Sequence, residues 1–229
     1  MADALSPPPE AERPFPCGLI VLAAGASTRM GQPKQLLAIG GRPLLVRVVE
    51  AALAAPVWPV VVVLGAHAAA LRPLLAPHPV LVVENAAWAE GMASSLREGI
   101  ATLAQFSRRL EAAVVVLADQ PTLDATVIRQ LIAAHHASGR DVVASRYAGR
   151  HGAPALFHRR QFPRLAALTG EAGARELLNG GDPPVAAIEL PELAEDLDTP
   201  EDVHRWRAAH GGANAPPPPS SPPAAILPP

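Results

Sequence analysis

Five short stretches of this chain are apolar almost throughout and rich in β-branched residues. They read "GLIVLAA" (18–24), "VVVVL" (60–64), "VLVVE" (80–84), "AVVVLAD" (113–119) and "DVVASR" (141–146). None alternates with polar residues in the way a strand with one wet face does. Such runs fit strands buried on both faces, as in a parallel sheet covered on either side. Between them lie segments with helical spacing of apolar positions: Pro43–Ala55, His67–Ala76, Met92–Phe106 and Asp124–Ser138. Parallel strands need crossovers of about that length. The sequence therefore predicts an α/β fold: an open, mostly parallel sheet with right-handed crossovers and helices on both faces. Pro43 is expected in a first helical turn, where a missing N–H costs nothing.

The chain has 229 residues, enough for one sizeable domain or two small ones. Half of it is hydrophobic (49%) and only 3% is aromatic, so the core must be built from Ala, Val and Leu. A net charge of −2 offers no broad basic face, and neither a nucleic-acid nor a membrane partner is expected. Cys17 is the single cysteine, which rules out an internal disulfide and a thiolate metal cluster and fits a reducing cytoplasm. No apolar run approaches the ~20 residues that span a bilayer. The first residues lack the basic start and apolar stretch of a secretory signal. Residues 1–16 carry five prolines and no apolar period, and 211–229 reads "GGANAPPPPSSPPAAILPP". Both are expected to be disordered arms flanking a folded domain at 17–210.

In open α/β sheets, ligands bind outside the carboxyl ends of the strands. That rule singles out Gly25 onward, Gly65-Ala66-His67, Asn85 onward and Asp119-Gln120-Pro121. The first of these lies in "LAAGASTRMGQPKQLL", Leu22 to Leu37. Gly25, Ala26 and Ser27 put no bulky side chain beside the backbone, so their N–H groups are open to an anion. Arg29 can grip phosphate oxygens with paired hydrogen bonds, and Lys34 adds a compact positive charge. Pro33 fixes its own φ and biases Gln32 towards an extended shape, which holds Lys34 in place. A nucleoside triphosphate is the natural ligand. The loop is not G-x-x-x-x-G-K-[ST], because Gln32 and Pro33 follow Gly31, and it is not G-x-G-x-x-G, because position 27 is Ser. An ordinary polar surface loop is the competing reading.

"VVVLADQP" ends a buried run in Asp119, on the same sheet edge as Gly25. Mg²⁺ takes one or two carboxylates plus phosphates and waters, so Asp119 is half of a metal site. "EDLDTPEDV" (195–203) contains the other candidates. Thr199-Pro200-Glu201-Asp202 reads as a helix start, with a capping Thr and acids near the positive end. Asp196 and Asp198 precede that start and share a face if the segment is extended.

Taken together, "LAAGASTRMGQPKQLL", "ADQP" and "DLDTPEDV" resemble the MobA-like nucleotidyltransferase superfamily, and most of all its molybdenum cofactor cytidylyltransferase group. "ENAAWAEGMASSLREGI" (84–100), "GAPALF" (152–157) and "LTGEAGARELL" (168–178) support the resemblance, which covers roughly 18–206. It implies a Rossmann-like α/β fold. It implies that backbone around Leu22, Ala23, Ala24 and Gly25 holds base and ribose, while the loop from Ser27 through Arg29 holds the triphosphate. Lys34 matches the lysine that neutralises phosphate charge in the transition state. Asp119 matches the Mg²⁺ aspartate, and Asp198 the second metal carboxylate of related transferases. Asn85, Gly91 and Ser95 fall where the family shapes the nucleotide pocket. Cytidine-transferring members resemble "LAAG", whereas guanosine-transferring members more often have Leu-Ala-Gly-Gly, so Ala24 favours CTP. Ala153 stands where several cytidylyltransferases place His before Pro, which leaves the acceptor open.

The reaction so implied is Mg²⁺-dependent transfer of CMP from CTP to molybdenum-loaded molybdopterin, giving molybdopterin cytosine dinucleotide and pyrophosphate. A molybdenum hydroxylase or its maturation factor is the expected transient partner. Rival readings are transfer from GTP or to another phosphorylated acceptor, a non-catalytic molybdopterin carrier, and an oxidoreductase. Other polar residues have milder readings. His67 is a loop histidine or a base contact, and His135 and His136 lie on a solvated helix face. Arg150, His151 and Arg175 lie on the presumed acceptor side. Trp88 either lines the pocket or pins its loop.

Overall fold

The structure is a computed structural model that describes residues 15–195, 197 and 199–210, without the side chains of Arg29 and Pro200. Residues 1–14 of the expected arm at 1–16, all of the arm at 211–229, and both Asp196 and Asp198 lie outside the described residues; Phe15 and Pro16 belong to the folded domain, Phe15 packing against the core and Pro16 O accepting from Glu111 N–H at 2.8 Å.

The first apolar run forms an interior strand of the sheet. β1 (Cys17–Ala23) is buried at every position. It is flanked in parallel by β4 (Val60–Leu64) and β6 (Ala112–Leu117), and β5 (Leu81–Glu84) pairs in parallel beyond β4. The full order is β5-β4-β1-β6-β8-β7-β9, with β7 at Val142–Tyr147, β8 at Arg150–His158 and β9 at Val185–Glu189. Only β8 runs antiparallel, against both β6 and β7. Leu22 pairs with Val63 on one side and Leu117 on the other, so β1, β4 and β6 end level. Their exits therefore open along one edge.

Period-two alternation along β1 divides the core into two layers. Leu19, Val21 and Ala23 face α1 (Leu44–Leu53), α2 (Ala68–Leu75) and α4 (Ala125–Ser138). Ile20 and Leu22 face α3 (Met92–Phe106), through Leu96, Ile100 and Leu103, with α5 (Phe162–Ala166) and α6 (Arg175–Asn179) completing that layer. Helices thus cover both faces. Asp124 caps α4, its Oδ1 accepting from Thr126 and Val127 N–H at 2.7 and 3.0 Å. Thr199 and Asp202 exchange bonds at the start of α7 (Pro200–His210): Thr199 N–H donates to Asp202 Oδ2 at 2.8 Å, and Asp202 N–H donates to Thr199 Oγ1 at 3.2 Å. This is the reciprocal cap that the sequence suggests. Among the described residues no helix is long and apolar enough to cross a membrane.

Three features differ from the sequence expectation. A two-stranded hairpin, β2 (Ala38–Ile39) with β3 (Arg42–Pro43), follows the opening loop. Pro43 belongs to that hairpin and precedes α1 with ψ 140°, so it is not in the first helical turn. β8 was not expected because Gly152 and Pro154 interrupt its apolar run. It forms because Ala148 and Gly149, both at positive φ, turn the chain tightly back after β7. β9, a half-exposed edge strand, is the third: its apolar run Val185–Ile188 contains two alanines, which are weak strand formers, and was not singled out.

Candidate active site

The loop after β1 is folded on itself by a buried polar residue. Gln35, 3% exposed, donates from Nε2 to the carbonyls of Ala23 and Gly25, each at 3.2 Å. Ser27 sits in the left-handed region at φ 53°, and its Oγ accepts from Lys34 N–H at 3.1 Å. Two 3-10 turns, Thr28–Met30 and Lys34–Leu36, complete the loop. The end of β4 braces it from behind. Ala66 N–H donates to Ala24 O at 3.1 Å, and His67 Nε2 donates to Ala26 O at 2.9 Å. Gly65 makes this approach possible, since a Cβ there would lie 2.7 Å from Ala24 O and from Trp88 Cβ. His67 is thus a loop brace. Gln35 was not singled out in the sequence; it stands between Lys34 and Leu36, where no local pattern marks it as buried.

Across the mouth of this loop stands Asp119, just past the end of β6. Its neighbour Ala118 donates from N–H to Leu22 O at 3.1 Å, which extends the sheet register by one step. Lys34 Nζ meets Asp119 Oδ2 at 2.7 Å, although 85 residues separate them in sequence. Oδ1 of the same carboxylate is buried with no hydrogen-bond partner among the described residues. A carboxylate oxygen in that position suits a hard divalent cation, which takes oxygen ligands. The described residues contain no cluster of three His, Cys, Asp or Glu side chains able to hold a metal by themselves.

The opposite wall comes from the loop after β5 and the start of α3. Asn85, 2% exposed, donates from Nδ2 to Ser94 Oγ at 2.7 Å and Ser95 Oγ at 3.0 Å, and its Oδ1 accepts from Ala87 N–H at 2.9 Å. These bonds hold the 3-10 turn Trp88–Glu90 and the first turn of α3 together. Gly91 caps the helix at φ 108°, and a Cβ there would lie 2.7 Å from the Gly170 backbone. Ala93 N–H donates to Gly170 O at 3.2 Å, so the 168–174 segment closes the wall.

Between the walls is a cavity of about 450 Å³. Leu22, Ala24, Gly25, Ser27, Lys34, Gly91, Ser95 and Asp119 all line it, with Trp88, Met92 and Glu171 at the far end. Ala23 and Asn85 stand behind the wall and act on it through hydrogen bonds. Arg29 lies in the first 3-10 turn, and its side chain, like Asp198, lies outside the described residues. Elsewhere, His151 Nδ1 bonds Leu178 O at 2.8 Å and fastens β8 to α6. His135 and His136 pack against Phe15, and His135 stacks on His158. Gln120, which the strand-end rule marks without a role, donates to Ala153 O at 2.8 Å and ties the Asp119 loop to β8.

The MobA-like NTP transferase domain matches residues 19–186. The chain belongs to that family. It is a nucleotidyltransferase, and Gly25, Lys34 and Asp119 all fall inside the matched span. It is 34% identical over 197 residues to nicotine blue oxidoreductase of Paenarthrobacter nicotinovorans, covering 81% of this chain and 94% of that one. It is 30% identical over 201 residues to the purine catabolism protein PucB of Bacillus subtilis, covering 83% and 95%. The crystal structure of Rv0371c from Mycobacterium tuberculosis superposes with a TM-score of 0.74 at 32% identity, covering 85% of this chain and 98% of that one. A second structure of Rv0371c is a complex with manganese.

Proposed function

We propose that this nucleotidyltransferase moves CMP from CTP to molybdenum-loaded molybdopterin and releases pyrophosphate. The observation that carries the reading is the Lys34–Asp119 contact at 2.7 Å, on the rim of a cavity walled by a small-residue loop. A pure carrier of the acceptor has no need of a charge pair beside such a loop. A volume of about 450 Å³ is in the range of nucleotide-sized pockets. The triphosphate would lie along Gly25 to Arg29, with the base towards Leu22, Ala24 and Ser95. The methyl of Ala24 takes up space that a glycine would leave, which favours the smaller base.

An acceptor phosphate monoester is already ionised near neutral pH, so attack on the α-phosphorus needs no strong general base. The protein's work is alignment and charge stabilisation. Lys34, with Arg29, would offset the charge that develops on the leaving pyrophosphate. Asp119 Oδ1 fits a divalent ion; Asp119 together with Asp198 would hold Mg²⁺, and the manganese complex of the Mycobacterium tuberculosis relative supports a divalent metal. Bound there, the ion would neutralise phosphate charge. Position 27 is Ser, so the loop lacks a dinucleotide fingerprint, which favours transfer over redox chemistry. We place the reaction in the cytoplasm, with product handed to a molybdenum hydroxylase or its maturation factor.

The test is pyrophosphate release from CTP and, separately, from GTP, with Mg²⁺ and molybdenum-loaded molybdopterin. Release with CTP alone is expected. Release with GTP alone would reverse the reading of Ala24, and acceptor binding without release would make the chain a carrier.

A further inference from the structure

We infer that Lys34 closes the metal site to a bare divalent cation and admits the ion together with the nucleotide. This rests on the reading of Asp119 as a metal ligand. Lys34 is not a freely trailing surface lysine. Its own N–H is held by Ser27 Oγ at 3.1 Å, Leu37 N–H donates to its carbonyl at 3.0 Å, and its neighbour Gln35 is buried and doubly bonded. Its side chain is 17% exposed and that of Asp119 22% exposed. The ammonium therefore sits on one oxygen of the carboxylate whose other oxygen is the free, buried one.

A divalent ion approaching Oδ1 meets a fixed positive charge within the width of one carboxylate. In a partly dehydrated site that repulsion is only weakly screened. The ammonium also neutralises the anion that would attract the ion. A polyphosphate changes both conditions. Its oxygens give the ammonium a charge-assisted partner of equal kind, and the four-carbon stem lets Nζ swing from Asp119 to the ligand. The carboxylate is then released in full to the metal. Metal and nucleotide should consequently raise each other's affinity, and the coupling must be reciprocal.

The test is a Mn²⁺ titration of the metal-stripped full chain, reading free Mn²⁺ by electron paramagnetic resonance, with and without a CTP analogue bearing a non-cleavable α,β bridge. In the parent, the analogue is expected to tighten Mn²⁺ binding at least tenfold. Lys34→Met is expected to bind Mn²⁺ alone at least tenfold more tightly than the parent and to lose most of the coupling. Lys34→Arg keeps the charge and is expected to bind as weakly as the parent, whereas a merely structural role would move both variants alike. Lys34→Gln replaces Met if the Met variant does not fold by circular dichroism. Absence of coupling in the parent, or neutral variants that bind Mn²⁺ no more tightly, would overturn the inference alone. Asp119→Asn that, with the analogue present, still binds Mn²⁺ as tightly as the parent would overturn the metal reading with it.

Discussion

Asn85→Ala tests whether a buried amide holds the nucleotide wall or touches the nucleotide. Three hydrogen bonds disappear, to Ser94 Oγ at 2.7 Å, Ser95 Oγ at 3.0 Å and from Ala87 N–H at 2.9 Å. A net worth of about 1 kcal/mol for each gives roughly 3 kcal/mol. The two serine hydroxyls rotate to other partners; Ser94 already donates to Ala87 O and Gly91 O, at 3.0 and 2.8 Å. The Ala87 N–H has no such freedom, so the loss should not fall below about 1 kcal/mol. For a domain of this size, ~3 kcal/mol corresponds to a Tm lower by about 6–12 °C. The assay is thermal unfolding followed by circular dichroism, paired with the KM for CTP. KM is expected to rise several-fold as the Trp88 turn loosens, in step with the stability loss. A variant within about 0.5 kcal/mol of the parent, yet with a raised KM, would refute the reasoning and make Asn85 a direct ligand contact.

Gly91→Ala combines a φ of 108° with a Cβ 2.7 Å from the Gly170 backbone, so a loss of roughly 3 kcal/mol or more in denaturant unfolding is expected, with loss of nucleotide binding. Cys17 is buried, and desolvation pushes its thiol up to about 12, so a chromogenic disulfide reagent should leave it unmodified in the native protein and label it fully in denaturant. Burial holds the His158 imidazole below its ordinary 6.5, and the Asp141 carboxylate opposes this. A depressed native value costs nothing while the ring is neutral in both states. As pH falls through the ordinary value of 6.5, the unfolded chain takes the proton first, so stability should decline below about pH 7, and His158→Asn should flatten that slope in urea titrations.

What the sequence determines by itself is whatever local periodicity encodes. Continuous apolar runs declared β1, β4, β6 and β7 because a strand covered on both faces has no polar position to spare, and β5 through its Leu81–Val83 run although it lies at the sheet edge. The same reasoning delivered α1 to α4 to within a few residues. It placed Gly25, Lys34 and Asp119 at one edge, because strand ends are legible from where the runs stop. β8 and β9 were hidden for other reasons: β8 carries Gly152 and Pro154, and the short run of β9, Val185–Ile188, contains two alanines, which are weak strand formers. Their places come from the β7–β8 turn and from pairing with strands far along the chain. The tertiary structure alone decided that Lys34 touches Asp119, since the level register of β1 with β6 sets that distance and no local pattern does. It alone gave Gln35, His67 and Asn85 their roles as braces. A polar side chain's partners depend on which segments pack around it, and that is a nonlocal property settled only when the core closes.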